Sequence, residues 1–229
     1  MDGLEAPTPG PATGTPLVVP SSASLTNASR TAPGPSVDGK STSLVKLSPA
    51  DLARDVPLAE TLLKMMNASF MSTHAPPYFG FRLERFPNVG EMIKSFHTDA
   101  VIWALFEGQL NDPFPSLASL APLRMLGTVQ IAPYKPPPWN LETMPSPDNS
   151  WDVWLDPAEL HQKSQLILLL KTLAVDVDMH GRGLGGYLLG VMEAEAREQA
   201  RRVGCVQVHL AATTTEQING PFYERRGWT

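Results

Sequence analysis

Apolar and polar positions along the chain follow no period at first and then settle into repeating ones. Residues 1–42 scatter a few small apolar side chains among Pro, Gly, Ser, Thr and Ala. That composition cannot bury enough surface to offset the entropy of ordering, so it predicts a disordered tail, with one folded domain over 43–229. Periodicity starts at Leu44-Val45-Lys46-Leu47, a short strand, after which Ser48 and Pro49 read as an N-cap and first helical position. Leu52, Val56, Ala59, Leu62, Leu63, Met66 and Phe70 recur at helical spacing, predicting one continuous helix with an apolar face that stops at residues 73–77. A short helix follows over 89–96, then apolar strands over 101–106 and 126–132, expected to pair as antiparallel neighbours. Trp151-Asp152-Val153-Trp154 alternates like an edge strand or an aromatic lid, and the proline-rich stretches 111–115 and 133–148 read as surface insertions.

The most ordered pattern comes next. Residues 166–175 form an apolar strand, His180-Gly181-Arg182-Gly183-Leu184-Gly185-Gly186 a glycine-punctuated turn, and the residues after Gly183 a helix. Its buried stripe is Leu184, Leu188, Val191 and Met192, while Glu193/Arg197 and Glu198/Arg202 are spaced as i,i+4 ion pairs. Gly204 ends the helix, and residues 206–211 alternate as a strand parallel to the one before the glycines, with His209 read as a satisfied core or partner-facing residue. In the last segment Asn219 reads as an N-cap, Pro221 as an early helical residue and Gly227 as the stop. Strand, glycine turn and helix in succession place several backbone N–H groups and a positive helix end together, so a polyanion is expected there.

The 229 residues are enough for one well-cored domain and a tail, and a net charge of −5 with pI near 5.5 argues against a nucleic-acid partner. A single cysteine, Cys205, excludes an internal disulfide and reads as a small core residue in a reducing compartment. No signal-peptide pattern opens the chain and no apolar run approaches a membrane span, so a cytoplasmic or nuclear protein without a membrane partner is expected. No metal site is expected.

Residues 180–185 resemble the Q/R-x-x-G-x-G/A signature of the GNAT family of acetyl-CoA-dependent N-acetyltransferases, with His180 where Gln or Arg is usual. The likeness continues through Leu173-Ala174-Val175-Asp176 and through Asn219 and Phe222-Tyr223-Glu224-Arg225-Arg226-Gly227-Trp228. It implies an α/β (α+β) fold with a mixed, mostly antiparallel central sheet and helices on both faces. It also implies acetyl-CoA as cosubstrate and a primary amine as acceptor: a small molecule, a peptide N-terminus or a lysine. By the same resemblance the cofactor-binding residues are Leu173, Val175, His180, Gly181, Arg182, Gly183, Leu184, Gly185, Gly186 and Asn219. Leu173 and Val175 would pair with the pantetheine arm through their backbones, Val175 N–H would hold the thioester carbonyl, and Tyr223 would be the general acid. No general base is assigned. The aromatics Tyr78, Phe79, Phe81 and Phe86 fall where the family lines its acceptor site, and a core role fits them equally.

Family members usually continue past the Gly-Phe/Trp motif into a further strand, and this sequence stops at Thr229. An uncovered edge along residues 206–211, with self-association through it or natural residues missing beyond it, is therefore expected. Two rivals stand beside this reading. Gly181–Gly186 also satisfies G-x-G-x-x-G, the dinucleotide-binding fingerprint, although residues 176–180 separate it from its strand and the chain ends before further βα units. A GNAT-like module that binds CoA without turnover is the other.

Overall fold

In the computed structural model, the described residues are 30–73, 84–110, 116–134, 165–212 and 219–228. The expected tail up to residue 29, the aromatics Tyr78, Phe79 and Phe81, the 111–115 insertion, most of the 133–148 insertion and the tryptophan pair Trp151/Trp154 lie outside them.

Period-two apolar runs become the strands of one sheet: β1 (Thr31–Pro33), β2 (Thr42–Leu47), β3 (Val101–Glu107), β4 (Met125–Pro133), β5 (Gln165–Val175) and β6 (Gln207–Ala212), lying side by side in chain order. The first five are antiparallel neighbours, and β5 and β6 run parallel. A doubly wound dinucleotide fold needs a largely parallel sheet, so the G-x-G-x-x-G reading loses its framework.

Helices α1 (Pro49–Arg54), α2 (Val56–Thr73) and α3 (Val89–Ser95) cover one face of the sheet, and α4 (Leu184–Arg202) the other. Consecutive strand residues feed opposite layers: Leu44, Trp103 and Leu105 pack with α4, whereas Val45, Ile102, Ala104 and Phe106 pack with α1–α3. Burial on both faces explains why β3 reads as an unbroken apolar run instead of an alternating one, and why even Thr128 and Gln130 of β4 are buried. The short helix α5 (Gly220–Glu224) closes against the start of α4. The mixed, mostly antiparallel sheet with helices on both faces is the architecture the sequence led one to expect.

Three local expectations are corrected. Thr31–Pro33 is paired with β2, so ordered structure begins inside the stretch assigned to the tail. The turn behind it is Asp38-Gly39, both at positive φ (51° and 76°), a dipeptide suited to tight hairpins. The helix expected from Pro49 to Phe70 is broken at Asp55, because Pro57 cannot donate to the preceding turn; Asp55 instead accepts from Leu58 N at 2.9 Å, starting α2 afresh. Val56, placed on the apolar face by spacing, is 54% exposed at this junction. Cys205 lies before β6 and is only partly buried, next to Val206, which is 81% exposed.

Candidate active site

The site lies along the C-terminal half of β5. Register pairs run from Gln165↔Gln207 to Leu170↔Ala212; beyond them, residues 171–175 of β5 have no β6 partner among the described residues. At roughly 3.3 Å per residue, a stretch of strand edge roughly 15 Å long is left for an extended ligand. The other edge carries an irregularity here. Gln130 pairs with Thr172 and Ile131 with Leu170, so Lys171 is an extra residue in the β4–β5 ladder, a bulge that bends the strand. The backbones of Lys171, Leu173 and Val175 share the edge facing the gap.

At the end of β5 the Asp176 carboxylate accepts from Asp178 N at 3.0 Å, starting a single 3-10 turn whose Met179 is buried. Arg124 meets both Asp176 (3.0 Å) and Asp178 (2.9 Å), offsetting the negative charge beside the turn. His180 folds back with Nε2 3.1 Å from Val175 O, a contact that holds the turn to the strand end. Gly181 and Gly183 have φ of 76° and 79°, where a side chain is strained, and both are exposed. Helix α4 starts at Leu184 with Tyr187 N bonded to Gly183 O at 3.0 Å. The N–H groups of Leu184, Gly185 and Gly186 therefore have no intrahelical acceptor, and no acidic residue lies in the first turn. These features fit a diphosphate.

Other members of the expected cofactor set act differently from one another. The Leu184 side chain is 1% exposed within the core, leaving only its backbone for a ligand. Arg182 is ion-paired with Asp38 of the β1–β2 turn. A Cβ at Gly185 would touch the Phe222 ring at 3.4 Å, and one at Gly186 would lie 2.4 Å from Arg226 Nη2. These glycines thus admit α5, and Arg226, stacked 4.0 Å over the Phe222 ring, brings a cation to the helix N-terminus. Arg226 went unremarked in the sequence because its role depends on this packing. Asn219 precedes α5 as expected, but its side chain makes no cap hydrogen bond; its carbonyl accepts from Phe222 N at 3.1 Å.

The other wall comes from residues distant in sequence. Tyr223 is 5% exposed, with its ring 5.2 Å from Phe222 and 5.3 Å from Trp228. Burial pushes its phenol up to about 12, against the opposing charge of Arg85. Val175 N, expected to face the thioester carbonyl, donates to Ser69 Oγ of α2 at 3.4 Å. Arg85 Nη2 donates to Lys171 O at 3.1 Å. Phe86 is partly buried against the α1–α3 core, edge-on to Phe96 at 6.4 Å, and is tied to Asn67 by bonds in both directions (2.8 and 3.1 Å). His209, read as a satisfied core or partner-facing residue, has its Nε2 buried with no hydrogen-bond partner among the described residues. β6, the strand expected to leave an uncovered edge, has only β5 beside it among the described residues.

Among the described residues no helix is long and apolar enough to cross a membrane. No family model matches the sequence, and no curated protein matches it. Solved structures do. A Trypanosoma brucei acetyltransferase is 20% identical, with 82% of this chain and 92% of that chain covered and a TM-score of 0.36. An aminoglycoside acetyltransferase from an uncultured soil sample is 16% identical (80% and 87% covered, TM-score 0.38). The glucosamine-6-phosphate N-acetyltransferase of Arabidopsis thaliana is 15% identical (82% and 91% covered, TM-score 0.35). Overlap at this level does not fix an activity, which has to come from the geometry of the site.

Proposed function

We propose that this chain is an N-acetyltransferase that moves an acetyl group from acetyl-CoA to a primary amine by direct attack within a ternary complex. The observation that carries the reading is the β5 edge over 171–175, where Lys171 O and Val175 N meet side chains, running into the glycine turn: an edge for an extended arm leads to a cradle for a diphosphate. The backbone N–H groups around Gly181–Gly186, with Arg226 beside them, would hold the diphosphate. Leu173 and Val175 would pair with the pantetheine arm as an added strand.

Bound acetyl-CoA supplies the thioester. The protein's share is to orient it, polarise its carbonyl and manage protons. Val175 N–H exchanges its weak bond to Ser69 Oγ for the carbonyl oxygen, with the Ser69 hydroxyl remaining beside it. An amine with pKa near ~10.4 must lose a proton to attack, and the departing thiolate, with pKa near ~8.5, is stabilised by a donor. Tyr223 stays protonated at neutral pH and can offer that hydrogen bond.

Acetyl-CoA incubated with the chain and a small-molecule amine, a peptide with a free N-terminus and a lysine-containing, N-blocked peptide tests the proposal. Acetylation of at least one class, together with calorimetric binding of CoA tighter than that of NAD, is the expected result. CoA binding with no transfer to any class would leave the CoA-binding module in its place.

A further inference from the structure

Many basic side chains of this chain are matched by a carboxylate, and Arg85, like Arg226, is held instead by a backbone carbonyl and aromatic rings. Arg30 meets Asp51, Arg124 meets Asp176 and Asp178, Arg182 meets Asp38, and Arg202 meets Glu198. Arg85 meets no carboxylate among the described residues. Its hydrogen bond to the carbonyl of Lys171 at the bulge uses one of five N–H groups. Its guanidinium lies 5.7 Å from the Phe70 ring centroid and 5.5 Å from that of Phe86. The residue is still accessible to solvent, yet desolvation of the head group lowers its pKa, with the nearby Tyr223 acting in the opposite sense. A partly dehydrated cation with free donors and no counter-charge gains by meeting an anion.

Its place says which anion. Lys171 follows the last described β5–β6 pair, Leu170 with Ala212, and its carbonyl lies two residues, or roughly 7 Å, before Leu173 on the same strand edge. The diphosphate cradle lies at the opposite end of that edge, beyond Val175. A cation at the inner end of the gap is therefore too far along the strand to serve the diphosphate and sits on the acceptor's side of the thioester. Asn67 fixes it there, because its two bonds to Phe86 pin the neighbouring backbone to α2.

Resting on the acetyltransferase reading, we infer that Arg85 selects the acceptor: the favoured substrate is a small amine that also carries a carboxylate or phosphate, which the guanidinium binds while the amine faces the thioester. Phe70 and Phe86 hold the planar group in place, and its unused N–H pairs offer the bidentate geometry that both anions accept.

The test uses the full chain and two matched pairs: β-alanine with β-alaninamide, and phosphoethanolamine with ethanolamine. For the wild type, kcat/KM should favour the acidic member of at least one pair by about 10-fold or more, and the pair showing it tells carboxylate from phosphate. Arg85→Gln should raise KM for the acidic amine by about 10- to 100-fold with a much smaller effect on kcat, collapsing the preference, and Arg85→Lys should restore part of it. Calorimetry of the same four amines without CoA supplies a readout that needs no turnover, and a thermal melt confirms that both variants fold. Equal binding of acidic and neutral members, no binding of either acidic amine at millimolar ligand, or equal losses on both in Arg85→Gln would overturn the inference and leave Arg85 as a brace for the bulge. Failure of the acetyltransferase reading is separate: it would appear as acidic-amine selectivity in calorimetry with no CoA binding at all.

Discussion

The two walls of the gap beside β5 are built in opposite ways. The wall proposed for CoA is local: strand end, 3-10 turn, glycines and helix start fall within residues 173–186, and what they present to a ligand is backbone. Of their side chains, Ala174, Met179 and Leu184 are spent on anchoring in the core. The facing wall is assembled from Ser69, Arg85 and Tyr223, which three separate elements bring to the same strand edge, and what it presents is side chains. A backbone cradle recognises a part common to every cosubstrate molecule and tolerates little change in geometry, whereas a side-chain wall can be altered one residue at a time.

The anchoring of α4 gives the largest expected effect. Glu195 is fully buried and accepts from Lys46 Nζ at 2.8 and 2.9 Å, from Trp103 Nε1 at 3.3 Å and from Gln199 Nε2 at 3.1 Å, tying the helix to β2 and β3. Truncating one partner of such a pair strands the other, so Glu195→Ala should lose about 3–5 kcal/mol of stability in urea unfolding. A loss under ~1 kcal/mol would show that the pair contributes little to the rigidity of the CoA wall.

Next is Gly183→Val, which places a β-branched residue at φ 79° and raises a side chain among the N–H groups of the turn. CoA affinity should fall about 100-fold or more, measured by calorimetry on folded protein, since several charged hydrogen bonds are lost together. Gly186→Ala sharpens the point: its Cβ would displace the Arg226 head group and spare the turn. A loss of only a few-fold is expected, and a loss as large as that of Gly183→Val would shift the weight from backbone to Arg226.

The same division decides how much could be read from the sequence. Apolar periodicity was enough for β2–β6 and for most of α2 and α4, because each buries a regular stripe. The glycine turn was legible because its chemistry is consecutive. Thr31–Pro33 was not, being too short for a period, although Asp38-Gly39 behind it carries a hairpin signal. Pro57 marks the break in the first helix, although the apolar spacing runs on across it. Glu195 has the same sequence surroundings as Glu193 and Glu198, whose partners Arg197 and Arg202 were foreseen, and only the packing of α4 on β2 and β3 sets it apart. Ser69 and Arg85 had no local signal at all: a serine late in a helix and an arginine outside any helix or strand become a site only when both reach the same edge of β5.

Tyr223→Phe tests the side-chain wall. A positioned acid is worth ~10²–10⁴-fold, but a phenol pushed up to about 12 is a reluctant donor to a thiolate near ~8.5, so the loss in kcat should lie at the low end, about 10²-fold. CoA affinity should change little. Burial disfavours the phenolate, so the proton is retained as pH rises; kcat of the wild type should climb through the amine's titration with no descending limb before about 12. A fall in rate near the ordinary tyrosine value of ~10 would show that the phenol is solvated in the working enzyme.

The smallest effect is expected at Ser69, and its sign is informative. Ser69 is 7% exposed and occupies Val175 N–H at 3.4 Å, near the long limit of a hydrogen bond. If Val175 is to hold the thioester carbonyl, that bond has to be given up when acetyl-CoA enters, and the net worth of such a bond is at most about 1 kcal/mol. Ser69→Ala removes the competitor, leaving the N–H unsatisfied in the free protein and satisfied in the complex. Acetyl-CoA should therefore bind about 2- to 5-fold tighter to the variant, while CoA, which has no carbonyl at that position, should gain less. The difference between the two ligands, read by calorimetry on one preparation, isolates the carbonyl from the rest of the molecule. Weaker binding of acetyl-CoA with CoA unaffected would mean that the hydroxyl donates to the carbonyl alongside Val175, making Ser69 part of the oxyanion site instead of its occupant.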